Sequence, residues 1–198
     1  MTPAPVVVRL GGWLFRQRTW LPLPIAAALI FIPAQPVSSM VPFVAAGLAL
    51  VAAGEALRLW SVHHIGAISR TRSDRLGPLV AAGPFALVRN PLYIGNILLW
   101  AGFAFLAGLP WLAPAIVLLL ALEYHAIVRW EEGLLGERLG DSYRAYLARV
   151  HRWLPSWTIP ATSTQAAPFS WRATLFSERG TLIAIAAGIV LLILKRQT

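Results

Sequence analysis

Two long stretches of this chain contain no charged residue: residues 19–54 and residues 90–122 have no Asp, Glu, Lys or Arg. A helix needs about 20 predominantly apolar residues to cross the hydrocarbon core of a bilayer. Each stretch is long enough to supply at least one such helix. The composition agrees, because 58% of the residues are hydrophobic and only 13% are charged, unlike a typical soluble domain. The sequence therefore predicts an integral membrane protein.

The apolar segments predict an all-α fold, a polytopic helical membrane protein with about five transmembrane helices. The candidate segments are residues 20–32, 42–64, 92–108, 111–128 and 181–194. The corner Gly108-Leu109-Pro110 allows only a tight helical hairpin between the third and the fourth. The last segment is short for a bilayer core of ~30 Å and is basic at both ends, so its orientation stays open.

Basic residues predict which ends of these helices face the cytoplasm. Lys and Arg accumulate in the cytoplasmic loops of membrane proteins. Arginines precede the first apolar segment and recur in residues 70–75 and 129–152, whereas the corner at residues 108–110 has none. We therefore expect the arginine-rich stretches on the cytoplasmic side and the corner on the other side.

Residues 129–152 predict a polar, helical, cytoplasmic segment. Apolar residues recur there at helical spacing, at Leu139, Tyr143, Tyr146, Leu147 and Val150. Gly140 is followed by Asp141 and Ser142, a pattern typical of one helix ending and another being capped.

The residue counts exclude several classes of site. The chain has no Cys, which rules out thiolate nucleophiles, cysteine-ligated zinc and iron–sulfur clusters. Its four His residues lack a metal-ligand spacing, so we expect no metal site. The net charge of +9 is typical of basic residues that flank apolar spans and face anionic lipid. Membrane lipid is thus the expected partner, and nucleic acid is not.

One ion pair is predicted within an apolar segment. Glu55 and Arg58 are three residues apart, a spacing that lets two side chains meet on one face of a helix. Pairing lowers the cost of burying either charge in the bilayer. A structural pair is favoured here over a catalytic one.

Two polar clusters are expected to meet at the cytoplasmic mouth of the hairpin, namely residues 83–95 and the pair Glu131-Glu132. Arg89 has a planar guanidinium that suits a carboxylate or phosphate. The two glutamates can accept from an ammonium group, and Tyr93 can present a ring face to a cation. Such a set would suit a zwitterionic ligand. The alternative is structural: arginines that contact headgroups, an Asn-Pro helix start and a solvated acidic pair.

Two ordered motifs carry a resemblance to known families. The first, Gly83-Pro84-Phe85 followed by Val88-Arg89-Asn90-Pro91, Tyr93 and Gly95, resembles a signature of the isoprenylcysteine carboxyl methyltransferase and phospholipid methyltransferase families. The second, from Glu131-Glu132 to Pro155, is similar to their second block. The resemblance divides the chain into N-terminal membrane helices with a basic loop (1–78), a methyltransferase core (79–155) and a connection with a C-terminal helix (156–198).

The resemblance implies a small membrane methyltransferase that uses S-adenosylmethionine at its cytoplasmic side. A lipophilic acceptor, either a small molecule or a lipidated substrate, would enter from the bilayer. The implied cofactor-binding residues are Gly83, Pro84, Arg89, Asn90, Pro91, Tyr93, Gly95, Glu131 and Glu132. The candidate catalytic residues are Arg89, Glu131, Glu132, Tyr143 and Tyr146. Arg149 and Arg152 are candidates for holding the acceptor headgroup.

The chain departs from the family pattern at three positions. Asn90 stands where many members have His, Leu139 replaces Phe, and His151 replaces Pro. The first departure touches the implied pocket, so a His role cannot be transferred to this chain. The other two are expected to change packing.

The acceptor and the reaction class stay open. A prenylcysteine-like carboxylate needs no base, whereas a lipid headgroup amine must lose a proton before it attacks. Glu131, Glu132, Tyr143 or Tyr146 would assist in that case. The alternatives are an NADPH-dependent membrane reductase of the steroid or enoyl type and a non-enzymatic membrane factor that binds lipid.

Overall fold

The computed structural model describes residues 5–35, 41–66, 79–156 and 170–195. Every regular element in these residues is helical, which confirms the all-α prediction. The helices are α1 (Val6–Gln17), α2 (Pro22–Phe31), α3 (Val41–Ile65), α4 (Pro84–Leu87), α5 (Pro91–Leu106), α6 (Ala113–Leu139), α7 (Asp141–Leu147) and α8 (Trp171–Lys195). The predicted basic loop at residues 70–75 and most of the predicted connection after residue 156 lie outside the described residues.

Within the described residues, three helical segments are long and apolar enough to cross a membrane: Val41–Ile65, Pro110–Leu139 and Trp171–Lys195. Two shorter apolar helices, Pro22–Phe31 and Pro91–Leu106, accompany them. These five correspond to the five segments predicted from the sequence. The protein is an integral membrane protein built from helices.

Helices α3 and α5 run antiparallel in close contact, and glycines make that contact possible. A Cβ on Gly54 would lie 2.7 Å from the Gly95 carbonyl oxygen, and one on Gly102 would lie 2.8 Å from the Gly47 carbonyl oxygen. Small residues at a crossing let two helix backbones approach each other. Because the glycines recur every seventh residue on both helices, the contact continues along the crossing.

The predicted hairpin between α5 and α6 is confirmed. Gly108 has a φ of 73°, a conformation that glycine adopts without strain. The backbone N–H of Leu109 donates to Ala104 O at 2.9 Å, and Pro110 begins a short 3-10 helix, Pro110–Leu112. The start of α5 and the end of α6 therefore lie at one end of the bundle. We call this end, marked by Pro91 and Leu139, the site end.

The last helix begins earlier than predicted. Helix α8 starts at Trp171, whereas the sequence predicted an apolar segment from residue 181. Charged residues in the first turns of α8 interrupt the apolar pattern there. One of them, Glu178, is 1% exposed and pairs with Arg58 of α3 at 2.6 Å. The charge is compensated inside the bundle, so it does not end the helix.

The orientation of α8 is also fixed by its contacts. At the site end, the Trp171 ring stacks on His63 of α3 with centroids 4.2 Å apart. At the opposite end, Lys195 Nζ donates to Leu29 O at 2.7 Å and to Ala107 O at 3.3 Å. Helix α8 therefore runs from the site end towards the hairpin corner, which gives its direction relative to the other helices.

The predicted Glu55–Arg58 pair is confirmed and belongs to a larger network. Arg58 Nε lies 3.5 Å from Glu55 Oε2. The same guanidinium donates to Asn96 Oδ1 of α5 and to Thr181 Oγ1 of α8 at 3.2 Å. One arginine therefore connects three helices within the apolar part of the chain.

Helix α1 packs on α6, although the sequence predicted only a basic flank here. A Cβ on Gly11 would overlap the Ala126 carbonyl oxygen, and one on Gly12 would lie 2.9 Å from Trp130 Nε1. The Phe15 ring lies 4.9 Å from the Trp130 ring, measured between centroids. This contact places α1 beside the middle third of α6.

The predicted break between α6 and α7 is confirmed, but its capping residue differs. Gly140, with a φ of 54°, is the N-cap of α7, and no side chain caps this helix. Ser142 Oγ instead donates to Leu139 O at 2.7 Å, and Asp141 pairs with Arg144. The turn needs a positive φ, which favours glycine over a capping side chain. The predicted apolar face is real, with Tyr143, Tyr146 and Val150 buried together.

Candidate active site

The two sequence motifs are brought together at the site end. Several hydrogen bonds join the stretch before α5 to residues 146–156, and three of them involve residues 85–89. Tyr146 Oη donates to Phe85 O at 2.7 Å, the Arg89 N–H donates to His151 O at 2.9 Å, and the Ser156 N–H donates to Leu87 O at 2.7 Å. The predicted convergence of the two polar clusters is therefore a feature of the structure.

Glu132 lies between two arginines at the centre of this junction. Arg89 Nη1 donates to Glu132 Oε1 at 2.7 Å. Arg152 binds the same carboxylate with two bonds, from Nε to Oε1 at 3.0 Å and from Nη2 to Oε2 at 2.6 Å. The hydrogen bond with Glu132 raises the pKa of Arg152 above its usual value. Two guanidiniums and one carboxylate leave the Arg89–Glu132–Arg152 cluster with a net positive charge.

Glu131 is held by an aromatic pair. Tyr93 Oη lies 3.1 Å from both carboxylate oxygens of Glu131 and donates to them. The Tyr93 ring stacks on Tyr124 with centroids 4.6 Å apart and an interplanar angle of 26°. Tyr124 was not predicted as part of this site. Its signal was its position two helical turns before Glu131, which puts both residues on one face of α6.

Asn90 holds the loop that carries Arg152. Its Nδ2 donates to Arg152 O at 3.1 Å. Asn90 is also the N-cap residue of α5, and Pro91 is the first residue of this helix. The structural alternative for this dipeptide, a helix start, is therefore correct. Asn90 also connects the first motif to the second.

The two motif glycines pack against α3. Gly83 has a φ of 58°, and a Cβ on it would overlap the His64 ring. A Cβ on Gly95 would lie 2.6 Å from Arg58 Cγ and 2.8 Å from Gly54 O. Both glycines thus have a packing role that requires the absence of a side chain. Pro84 is the buried first residue of α4. Contact of these three residues with a cofactor stays a prediction.

The two tyrosines of α7 are buried beside the cluster. Burial raises the pKa of the Tyr143 hydroxyl and that of the Tyr146 hydroxyl well above the usual value for tyrosine. Both hydroxyls therefore stay protonated at neutral pH, and Tyr146 donates to Phe85 O. The catalytic role considered for these two tyrosines stays a prediction.

The two arginines expected to hold an acceptor headgroup have different surroundings. Arg152 is part of the cluster with Glu132. Arg149 instead donates from Nε to Ala145 O of the preceding turn at 3.1 Å and is exposed. The structure therefore joins only Arg152 to the other predicted site residues.

One buried donor at this site has no protein acceptor. Arg89 Nε is buried and makes no hydrogen bond with any residue in the described part of the chain. A buried polar group without a partner costs about 1–3 kcal/mol, and a carboxylate ligand would remove that cost. The Tyr93 ring adds an aromatic face that suits a cation. The donor set therefore fits a ligand with a carboxylate and positive charge, as the resemblance implies.

Comparison with known families agrees with this arrangement. A family model described as phospholipid methyltransferase matches residues 42–142. The match runs from α3 to the start of α7 and includes both Arg89 and Glu132. No match was found among curated proteins or among solved structures. The chain belongs to the phospholipid methyltransferase family and is a methyltransferase of the membrane.

Proposed function

We propose that this protein transfers a methyl group from S-adenosylmethionine to a lipophilic acceptor at the cytoplasmic surface of the membrane. The observation that carries the proposal is the cluster of Arg89, Glu132 and Arg152, in which Arg89 Nε is a buried donor with no acceptor among the described residues. The cluster joins the two segments that resemble the family motifs. The cofactor supplies an electrophilic methyl group when it is bound.

The residues at the site end have complementary tasks in this proposal. Arg89 Nε donates to the carboxylate of the cofactor's amino-acid end. Glu132 accepts from the ammonium group. Tyr93 presents an aromatic face to positive charge. Because methyl transfer requires an aligned approach of the acceptor, positioning by these groups is the main contribution of the protein.

Arg152 is the proposed contact for the acceptor headgroup. Its guanidinium already binds Glu132 but is partly exposed, with 24% of its side chain accessible. Anionic groups of a lipid, a phosphate or a carboxylate, suit a planar guanidinium. An acceptor amine must also lose a proton. In this proposal Glu131 accepts that proton, and its carboxylate is oriented by the hydrogen bond from Tyr93.

Arginine distribution supports a cytoplasmic site. At the site end, α1 carries Arg9 and Arg16, and the end of α6 carries Arg129 and Arg138. Around the hairpin corner the described residues carry no arginine, and Lys195 is the basic residue there. By the positive-inside tendency the site end is cytoplasmic, where S-adenosylmethionine is made.

The test is transfer of a labelled methyl group from S-adenosylmethionine into separated lipid and protein fractions of membranes that contain the protein. We expect label in a lipophilic fraction with the wild type and at least a roughly tenfold loss with Glu132→Gln. Arg144→Gln is the matched control, because Arg144 pairs with Asp141 on the exposed face of α7. Label in neither fraction would contradict the proposal.

The same preparation discriminates the two rival functions. Binding of NADPH without binding of S-adenosylhomocysteine would favour the reductase. Binding of neither ligand would favour a membrane factor without catalytic activity.

A further inference from the structure

A groove between α1 and α6 lies outside the site described above. Its volume is about 570 Å3, and its walls include Arg9, Gly12 and Arg16 of α1 and Trp130, Gly133 and Glu137 of α6. Gly133 and Glu137 lie within the second motif block, but none of these residues is assigned to the proposed active site. The groove is at the site end, because α6 ends at Leu139.

The two arginines of the groove share one face of α1. They are seven residues apart, which is about two helical turns and ~10 Å along the axis. Both are exposed, and neither side chain forms a hydrogen bond or ion pair with another residue in the described ranges 5–35, 41–66, 79–156 and 170–195. Two guanidiniums on one wall favour an anion with several acceptor oxygens, as in a phosphate group.

The opposite wall limits the charge of that anion. Glu137 is exposed on α6 and lines the same groove. Two cationic groups and one carboxylate give the groove a net charge of one positive unit. A phosphodiester carries one negative charge, so it neutralises the groove.

The neighbouring face of α1 is apolar and exposed. Val6 is 78% exposed, Leu10 is 47% exposed and Trp13 is 49% exposed. Residues Gly11, Gly12 and Phe15 cover the other side of the helix and are buried against α6. A helix with arginines beside an exposed apolar face is typical of the membrane interface, where the apolar side contacts acyl chains. One amphipathic molecule can thus supply both the hydrogen-bond acceptors for the two arginines and the apolar chains that cover the exposed apolar face.

Two glycines leave the space in which such a molecule fits. A Cβ on Gly12 would lie 2.9 Å from Trp130 Nε1, so α1 lies directly on this indole. A Cβ on Gly133 would meet no atom within 4 Å. The Trp130 ring therefore forms a floor, and the position of Gly133 is open.

We propose that this groove is a binding site for a membrane phospholipid, with its phosphate between Arg9 and Arg16 and its acyl chains along Leu10 and Trp13. The site is separate from the proposed methyl-acceptor site. Successive helical residues are rotated by about 100°, so Trp130 and Glu132 lie on different faces of α6. The bound lipid would fasten α1 to the end of α6.

The test uses the full-length protein purified in detergent, to which phosphatidylglycerol is added while the melting temperature is measured. We expect a saturable rise in Tm for the wild type, because a ligand that binds only the folded state stabilises it. In Arg9→Gln/Arg16→Gln, the concentration that gives half of the rise should increase roughly tenfold or more. Inorganic phosphate at the same phosphate concentration should not reproduce the rise.

Two glycine variants provide the second measurement and its control. Gly133→Leu should fill the groove and abolish the lipid-induced rise. Gly136→Leu changes helix propensity in the same way and is also free of contacts within 4 Å, but it lies outside the groove and should respond like the wild type. An unchanged response of the arginine variant, an equal loss in both glycine variants, or an equal effect of inorganic phosphate would each overturn the proposal.

Discussion

Arg58 and Glu178 are 120 residues apart in the sequence, yet Arg58 Nη2 lies 2.6 Å from Glu178 Oε2 inside the helical bundle. Arg58 belongs to α3, within the segment that matches the family model, and Glu178 belongs to α8, outside it. Because Glu55 also lies 3.5 Å from the same guanidinium, one buried cation faces two carboxylates. This pairing docks the last helix onto the methyltransferase core.

The pair predicts an order of stabilities. Arg58→Met should be the most destabilising change, because it leaves two buried carboxylates without their cation, and breaking a buried pair costs about 3–5 kcal/mol. Glu178→Gln should cost less, since Arg58 keeps Glu55. Thermal unfolding in detergent measures the order.

Glu137→Gln is the control for this series, because Glu137 is an exposed glutamate on α6. It should change the free energy of unfolding by less than about 0.5 kcal/mol. Equal melting temperatures for Glu178→Gln and Glu137→Gln would contradict the role of the pair.

Asn90 predicts a difference between two substitutions of similar size. Its side-chain N–H donates to Arg152 O, so Asn90→Leu should release the loop that carries Arg152 and weaken binding of S-adenosylhomocysteine roughly tenfold. Asn90→His can still donate one hydrogen bond and should keep most of the affinity. Calorimetry on both variants measures this. A gain of activity in Asn90→His from an inactive wild type would instead show that a histidine base is required.

Tyr146 predicts a change of stability at high pH. Burial raises its pKa in the folded state, so the folded protein keeps this proton above about pH 10, where the unfolded chain loses it. Stability therefore falls as the pH rises from the unfolded pKa towards the folded pKa. Tyr146→Phe removes the hydrogen bond to Phe85 O, so its free energy of unfolding at neutral pH should be lower by about 1 kcal/mol. Above pH 10 the stability of this variant should fall less steeply than that of the wild type. An unchanged slope above pH 10 would contradict the assignment.

Topology predicts opposite labelling of two introduced cysteines. The chain has no cysteine of its own. Trp111 at the hairpin corner is 52% exposed, whereas the adjacent Leu109 is fully buried and would not report on either side. Trp111→Cys should react with a membrane-impermeant thiol reagent from the non-cytoplasmic side, and Ser142→Cys from the cytoplasmic side. Reaction of both from one side would overturn the proposed orientation.

Local patterns predicted much of this molecule. The charge-free stretches predicted the apolar helices, and the Gly108–Pro110 corner predicted the hairpin. The spacing of Glu55 and Arg58 predicted their ion pair. The motifs placed Arg89 and Glu132 at one site. In each case the relevant information lies within a few consecutive residues or in a family pattern.

Contacts between distant helices were beyond such patterns. Nothing near Glu178 in the sequence indicates that Arg58 will neutralise it, so the charge suggested a later start for α8. The spacing of Tyr124 to Glu131 was visible in the sequence, but its stacking on Tyr93 depends on how α5 and α6 pack side by side. Arg149 lies in a motif-like block, yet the turn of α7 directs its guanidinium to Ala145 O.

Titration calorimetry with S-adenosylhomocysteine and the purified protein tests the proposed cofactor site at Arg89. We expect binding to the wild type and to Arg144→Ala. Arg89→Ala should weaken binding by at least roughly tenfold, because a charge-assisted hydrogen bond is worth about 1.5–3 kcal/mol, while the variant still melts cooperatively. Wild-type affinity in Arg89→Ala, or no binding to the wild type, would contradict the proposed cofactor site.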